Sequence, residues 1–190
     1  WAEENSRDAL FAALARRETY ATSGTRPVVR FFAGELPRVA CGRPDYVERA
    51  YEGGTPMGGE VGAVRGRQSP RFTVLAAKDA GSTSRPGTDL QRVQIVKGWV
   101  DVAGTTHEQV FDAAGRDTGA TVDPATCTPQ GTGARELCKV WKDPHFDPAQ
   151  HAFYYVRVLE NPTCRWSTLL CKAEGVDPFA PDCAGRAAAG

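Results

Sequence analysis

The sequence predicts a mainly β protein: an immunoglobulin-like β-sandwich preceded by one α-helix. Three observations carry that expectation. One amphipathic helical stretch stands at the start of the chain. About six or seven short β-branched or aromatic runs follow it, separated by turn signals, which is the pattern of a sandwich. At 190 residues and 41% hydrophobic, the chain is long enough and apolar enough to bury its own core.

Residues 5–17 read as the helix. Asn5 or Ser6 caps it, Asp8 sits in its first turn and Arg16 and Arg17 in its last, complementing the helix dipole. Leu10, Phe11 and Leu14 form its apolar face. Gly24 marks a turn, and Val28-Val29-Arg30-Phe31-Phe32 then reads as a strand. Residues 44–51 read as a short helix, with Pro44 near its start and Gly53-Gly54 ending it. Thr55-Pro56-Met57-Gly58-Gly59 is a turn, 72–77 a strand and 78–89 a loop. Residues 90–102 give the strongest strand signal, carried by Val93, Ile95, Gly98 and Val100, with Gln94, Lys97 and Asp101 breaking a continuous run. Gly104 turns the chain into a returning strand over 107–112. Residues 113–135 read as a long irregular connection, a kind that is usually pinned or functional. Strands are expected again at 137–141 and 152–159. Tyr154-Tyr155 follows the turn Asp147-Pro148-Ala149-Gln150, as a tyrosine-corner strand would. The final alanines read as a frayed tail.

Lys and Arg number 23 and Asp and Glu number 23, so the formal charge is zero, which argues against a nucleic-acid partner. No apolar run reaches the length of a membrane span. The chain opens on Trp1 and its one methionine is Met57, which suggests a processed product or a fragment. Six cysteines allow fifteen pairings. No two form a C-x-x-C pair, and His107, His145 and His151 do not stand at zinc-finger spacing from them. Disulfides are therefore expected, and with them a periplasmic or secreted location. Cys127 and Cys138 bracket a turn-rich stretch. Bridging them would close a loop of about 12 residues, worth roughly 3 kcal/mol. Cys164, Cys171 and Cys183 share the tail, so at least one local bridge is expected there, with Cys41 reaching a distant partner, possible candidates lying in that tail.

The chain contains no nucleophile elbow, P-loop, zincin helix or dinucleotide fingerprint. Gly53-Gly54 and Gly58-Gly59 read as turn glycines. Asp143, His145 and Asp147 could offer three ligands to a metal. The competing reading is that Asp143-Pro144 and Asp147-Pro148 make two Asx turns framing Phe146. His107 reads as a strand-surface residue and His151 as solvated. Residues 16–24 pack two guanidiniums, a carboxylate, a phenol and three hydroxyls at a helix exit. Either they satisfy the helix C-terminus, or they form one wall of a polar or anion-binding pocket.

Several blocks carry a resemblance. They are residues 1–11 running into Arg17-Glu18-Thr19-Tyr20-Ala21-Thr22-Ser23-Gly24, Pro56-Met57-Gly58-Gly59 and Gln94-Ile95-Val96-Lys97-Gly98-Trp99. Asp147-Pro148-Ala149-Gln150, residues 152–160 and Pro162-Thr163-Cys164-Arg165-Trp166-Ser167 complete the set. In this order they resemble the C-terminal part of a large bacterial family of unknown function, itself similar to the PHP (polymerase and histidinol phosphatase) metallohydrolases. The resemblance implies a parent with a distorted (β/α) barrel and an appended sandwich. Residues 1–24 would then be the last barrel helix and its exit, 25–172 the sandwich, and 173–190 a cysteine-containing tail. Arg17, Glu18, Thr19, Tyr20, Thr22 and Ser23 would line the active-site rim of the parent. The family's metal-binding His-x-His pattern is not in this chain, so divalent metal ions would belong to the parent and no cofactor to this chain. By this reading the chain alone is non-catalytic. Its partners are the barrel part of the same protein, or a second copy through Leu10, Phe11 and Leu14 or through an open sheet edge. Such an edge is expected because family members continue into a further strand. Two other readings stand beside this one. The first is a free-standing secreted binding module using the 113–136 loop. The second is a small metal-dependent enzyme using Asp143, His145 and Asp147.

Overall fold

The computed structural model describes residues 1–36, 41–62, 68–83 and 85–180. It is mainly β, with three helices and two antiparallel sheets packed in a β-sandwich-like arrangement.

Helix α1 spans Arg7–Ala15 and is capped by Ser6, whose Oγ accepts the Ala9 amide at 3.3 Å. The helix stops without glycine. Arg17 takes a left-handed φ of 59°, its N–H donates to the Leu14 carbonyl, and the Glu18 N–H donates to Ala13. This pair of bonds is a Schellman motif, which satisfies the last carbonyls of a helix.

The first sheet has the order β2-β1-β3-β8, formed by Gly54–Pro56, Val28–Gly34, Arg71–Ala77 and Glu136–Lys142. The second has the order β5-β4-β9, formed by Thr106–Gly115, Leu90–Val100 and Ala152–Glu160. Phe31, Ala33, Phe72, Val74 and Ala76 of the first sheet pack on Val93, Ile95, Tyr154, Val156 and Val158 of the second. The Phe72 ring lies 4.4 Å from Tyr154 and 5.5 Å from Trp141 by centroids, within the range of favourable aromatic pairs. A smaller core of Phe32, Leu36, Tyr46 and Ala50 seats helix α2 (Tyr46–Gly53) on the outer face of the first sheet.

Gln94 and Lys97 interrupt the apolar run of strand β4, yet residues 93–98 are all buried. The reason is its central place: β5 and β9 flank it, and Val110 and Tyr155 stand opposite Val96 on the outer face. At one side of the sandwich β8 packs against β5 and β4. At the other, residues of β1, β2 and β9 border one cleft, and β9 has only β4 as a hydrogen-bonded neighbour among the described residues.

The long connection after β5 is ordered. It carries the ribbon β6 (Thr121–Val122) with β7 (Pro129–Gln130). Asn161 pins it, accepting from Thr118 Oγ1 at 2.9 Å and donating to the Thr132 carbonyl at 3.2 Å. The disulfides differ from the expected pairing. Cys127 bonds Cys164, and Cys138 bonds Cys41. Cys138 lies in strand β8, paired opposite Leu75, and packs toward the small α2 core, so it is turned away from the 127 loop. Cys41 thus finds its distant partner in a strand and not in the tail. Cys171 bonds no described cysteine, and Cys183 lies outside the described residues. A third helix, α3 (Trp166–Ala173), was not foreseen; it follows Cys164 directly and crosses the expected boundary at 172.

Candidate functional site

The open side of the sandwich forms a cleft of about 1270 Å³. Blocks far apart in sequence converge on it: Arg17, Thr19 and Tyr20 from the α1 exit, residues 55–62 from the glycine turn, and residues 148–156 from the turn and strand β9. Of the six residues expected at a rim, these three line the cleft. Glu18 is buried and turned inward, while Thr22 and Ser23 are exposed outside the lining.

Gly58 sets the geometry of the α1 exit. Its φ is +87°, and a Cβ there would lie 2.3 Å from the Arg17 carbonyl oxygen and 2.5 Å from that of Arg16. Only glycine allows this approach of two backbones. Polar groups then clasp the exit to the first sheet. Tyr51 Oη donates to the Glu18 carboxylate, and Arg16 stands 3.5 Å from its other oxygen. The α-amino group of Trp1 donates to the Glu18 carbonyl. Trp1 Nε1 donates to the Val29 carbonyl at 2.9 Å, and the Arg30 guanidinium lies 3.4 Å from the centroid of the Trp1 ring, a cation–π contact. Arg30 also donates to Tyr51 Oη at 3.3 Å. Burial and the neighbouring Glu18 carboxylate push the Tyr51 phenol above its ordinary value. Tyr20 donates to the Pro27 carbonyl at 3.1 Å. Glu18, Arg16 and Tyr20 are therefore used in holding the helix exit, and of the expected polar set it is Arg17 and Thr19 that line the cleft without such a bond among the described residues.

A second polar cluster includes Tyr154, its one member in the cleft lining. The Lys97 ammonium stands 2.7 Å from Asp143 Oδ2, with side-chain exposures of 2% and 0%. Tyr154 Oη donates to the same oxygen at 2.7 Å, and the His145 N–H donates to Oδ1 at 2.8 Å. Lys97 also donates to the His145 carbonyl at 2.8 Å. Burial pushes the Asp143 carboxyl up, but the bonds from Lys97, Tyr154 and the His145 amide outweigh it and hold the group below the usual carboxylate range. The same burial, with the Asp143 charge beside it, raises the Tyr154 phenol strongly. Tyr154 was expected at a tyrosine corner, where its hydroxyl would bond a nearby backbone group. It bonds a side chain instead.

Asp143, His145 and Asp147 do not converge. Asp143 is held by Lys97, the His145 ring contacts Gln109 Oε1 at 3.0 Å, and Asp147 Oδ1 accepts the Ala149 amide at 2.8 Å. The amide bonds from His145 and Ala149 make both aspartates Asx turns. No three His, Cys, Asp or Glu side chains among the described residues stand together as a metal set.

Residues 1–185 match the family described as Protein of unknown function (DUF3604). The chain belongs to the DUF3604 family. No curated protein and no solved structure matches it. In this DUF3604 chain the blocks that line the cleft are spread over nearly 140 positions, from Arg17 to Val156. Sequence reasoning missed Lys97 as a buried charge and Phe153 and Tyr155 as an exposed aromatic pair. One signal was present for the first: Lys97 shares its parity with the core residues Val93 and Ile95.

Proposed function

We propose that this DUF3604 chain is the non-catalytic β-sandwich of a larger PHP-like metal-dependent hydrolase and braces the edge of that enzyme's barrel, in a periplasmic or secreted setting. The observation that carries this reading is the apolar face of α1. Leu10, Phe11 and Leu14 are 47%, 72% and 64% exposed, although the helix is firmly clasped at its exit. A helix fixed at one end with its apolar face bare has the form of an element that packs on something outside the sandwich. The α1 exit leads directly into the cleft, so Arg17, Thr19 and Tyr20 would stand at the rim of the barrel's site. The chemistry of divalent ions, activation of water for hydrolysis, would be supplied by barrel residues. No step of it runs through this chain. Two disulfides are consistent with an extracellular or secreted protein. Among the described residues no helix is long and apolar enough to cross a membrane.

The reading is tested in the longer gene product by Phe11→Asp. Fluorescence-monitored unfolding and hydrolysis of a phosphomonoester are measured with manganese or zinc present. A charge in a packed apolar contact separates sandwich from barrel, so turnover falls while the sandwich transition is unchanged. Unaltered turnover and unaltered barrel stability would overturn the proposed contact.

A further inference from the structure

We propose that the outer face of the β5-β4-β9 sheet docks a second copy of this chain, in a weak, two-fold, face-to-face dimer. The proposal stands independently of any barrel reaction and of the apolar face of α1.

The register of the sheet fixes which residues share that face. Val93 and Ile95 of β4 and Tyr154, Val156 and Val158 of β9 belong to the inter-sheet core, so the alternate positions point outward. Three cross-strand rows result. Glu108, Gly98 and Phe153 make the first, Val110, Val96 and Tyr155 the second, and Asp112, Gln94 and Arg157 the third. The middle of the face is apolar: Phe153, Tyr155 and Val110 are 62%, 43% and 41% exposed. It is also flat. The Phe153 and Tyr155 rings lie only 13° from coplanar, with centroids 6.4 Å apart. Gly98 has no side chain to lift the first ring, and a Cβ there would lie 2.2 Å from one of its atoms. The third row is a hydrogen-bonded ladder. Arg157 Nε donates to Gln94 Oε1 at 2.9 Å, and Gln94 Nε2 donates to Asp112 Oδ1 at 2.7 Å. The ladder sets a cation on β9 and a carboxylate on β5 at one level of the sheet.

The distribution of charge selects the occupant. In these rows β5 presents two carboxylates, while β9 presents two aromatic rings and a guanidinium. A second copy turned by 180° about an axis along β4 lies face to face with the first and sets each β9 on the partner's β5, with levels along the strands kept. Arg157 then meets the partner's Asp112, Tyr155 the partner's Val110 and Phe153 the partner's Glu108. Each contact occurs twice. Both charged groups have capacity for it. A guanidinium has five donors, of which the Nε bond to Gln94 uses one, and a carboxylate accepts about four bonds. Arg92 stands 3.5 Å from Asp112 Oδ2 and lies beyond the third row, outside the shared face. An axis across the strands would instead set Glu108 on the partner's Asp112, like charge on like. The chosen axis also gives the aligned packing of a sandwich. Spacings of ~3.3 Å along strands and ~4.8 Å between them give this face roughly 300–400 Å², under half the ~800 Å² per partner of a standard interface, so the dimer is weak and reversible.

Sedimentation velocity of this chain across the micromolar range measures the association. A reversible monomer–dimer equilibrium is expected, with Kd of about 10–500 μM and weakened by added salt. Arg157→Asp alone and Asp112→Arg alone each set like charges against one another twice, and each weakens the dimer at least about tenfold. Mixing the two variants restores association to within about threefold of wild type, because every contact between them is again of opposite charge. A variant that had lost its fold would gain nothing from mixing, and thermal unfolding of each variant checks the fold separately. A chain that stays monomeric up to about 1 mM, single variants that associate as wild type does, or a mixture no stronger than either variant alone would overturn the proposal. So would loss of the dimer on Phe11→Asp, which would place the contact on α1. A longer gene product that stays monomeric where this chain dimerises would give the face to the barrel and overturn it too.

Discussion

Lys97→Met removes the cation from a carboxylate that has no access to water. The substitution keeps the apolar stem, so little packing is lost, but Asp143 stays buried with two donors, Tyr154 and the His145 amide. The His145 carbonyl also loses its donor. Removing one partner of a buried pair costs about 3–5 kcal/mol. Two of the three donors to Asp143 remain, so the lower end applies, about 3 kcal/mol. For a domain of this size each kcal/mol shifts Tm by ~2–4 °C, so the expected fall is roughly 6–12 °C. Thermal unfolding measures that fall and urea unfolding the free energy, both followed by tryptophan fluorescence with the disulfides intact. The sign of the pH dependence is fixed by the depressed Asp143 carboxyl. Its contribution is fully present above the unfolded-state value, about 3.9, and is lost as pH falls through the lower folded-state value. The gap between wild type and Lys97→Met should therefore be full at pH 7 and narrow below about pH 4. Lys97→Met with Asp143→Leu should recover at least about 1 kcal/mol, because no charge is then left buried. A deficit under about 1 kcal/mol at pH 7, or one that grows in acid, would refute the reasoning.

Gly58→Ala should destabilise by about 2 kcal/mol or more, since it adds strain at positive φ to a clash with the Arg16 and Arg17 carbonyls; thermal unfolding and faster proteolysis after α1 report it. Non-reducing peptide mapping should recover Cys41 with Cys138 and Cys127 with Cys164, and a Cys127–Cys138 peptide would contradict the fold. By loop entropy, removing the first bridge costs about 4.7 kcal/mol and the second about 4, so both double-serine variants should show strongly lowered urea midpoints. Phe11→Ser in this chain alone should change stability by less than about 0.5 kcal/mol, because the ring touches little in it.

Elements with a local cause were readable in the sequence. The α1 start follows from Ser6, the β4–β5 turn from Gly104, and the two Asx turns from Asp143-Pro144 and Asp147-Pro148. What required the folded chain was long-range. The stop of α1 is a Schellman motif with Arg17 in place of glycine, held because Gly58 approaches from 41 positions away. The burial of Lys97 depends on Asp143, supplied by the turn after β8. The disulfides depend on which face of β8 Cys138 occupies, and spacing alone favoured the wrong partner. The helix exit was recognisable as polar, yet its division into clasp and cleft wall was not. That division rests on Tyr51 and Arg30, which approach from another helix and strand.

The central claim is that this DUF3604 sandwich supports a metal-dependent hydrolase without itself carrying the reaction. The most direct measurement compares manganese- or zinc-dependent phosphoester hydrolysis by this chain and by the longer gene product under the same conditions. The account predicts turnover in the longer product and none in this chain. Turnover by this chain alone, or a longer product that neither takes up metal nor hydrolyses any phosphoester, would contradict it.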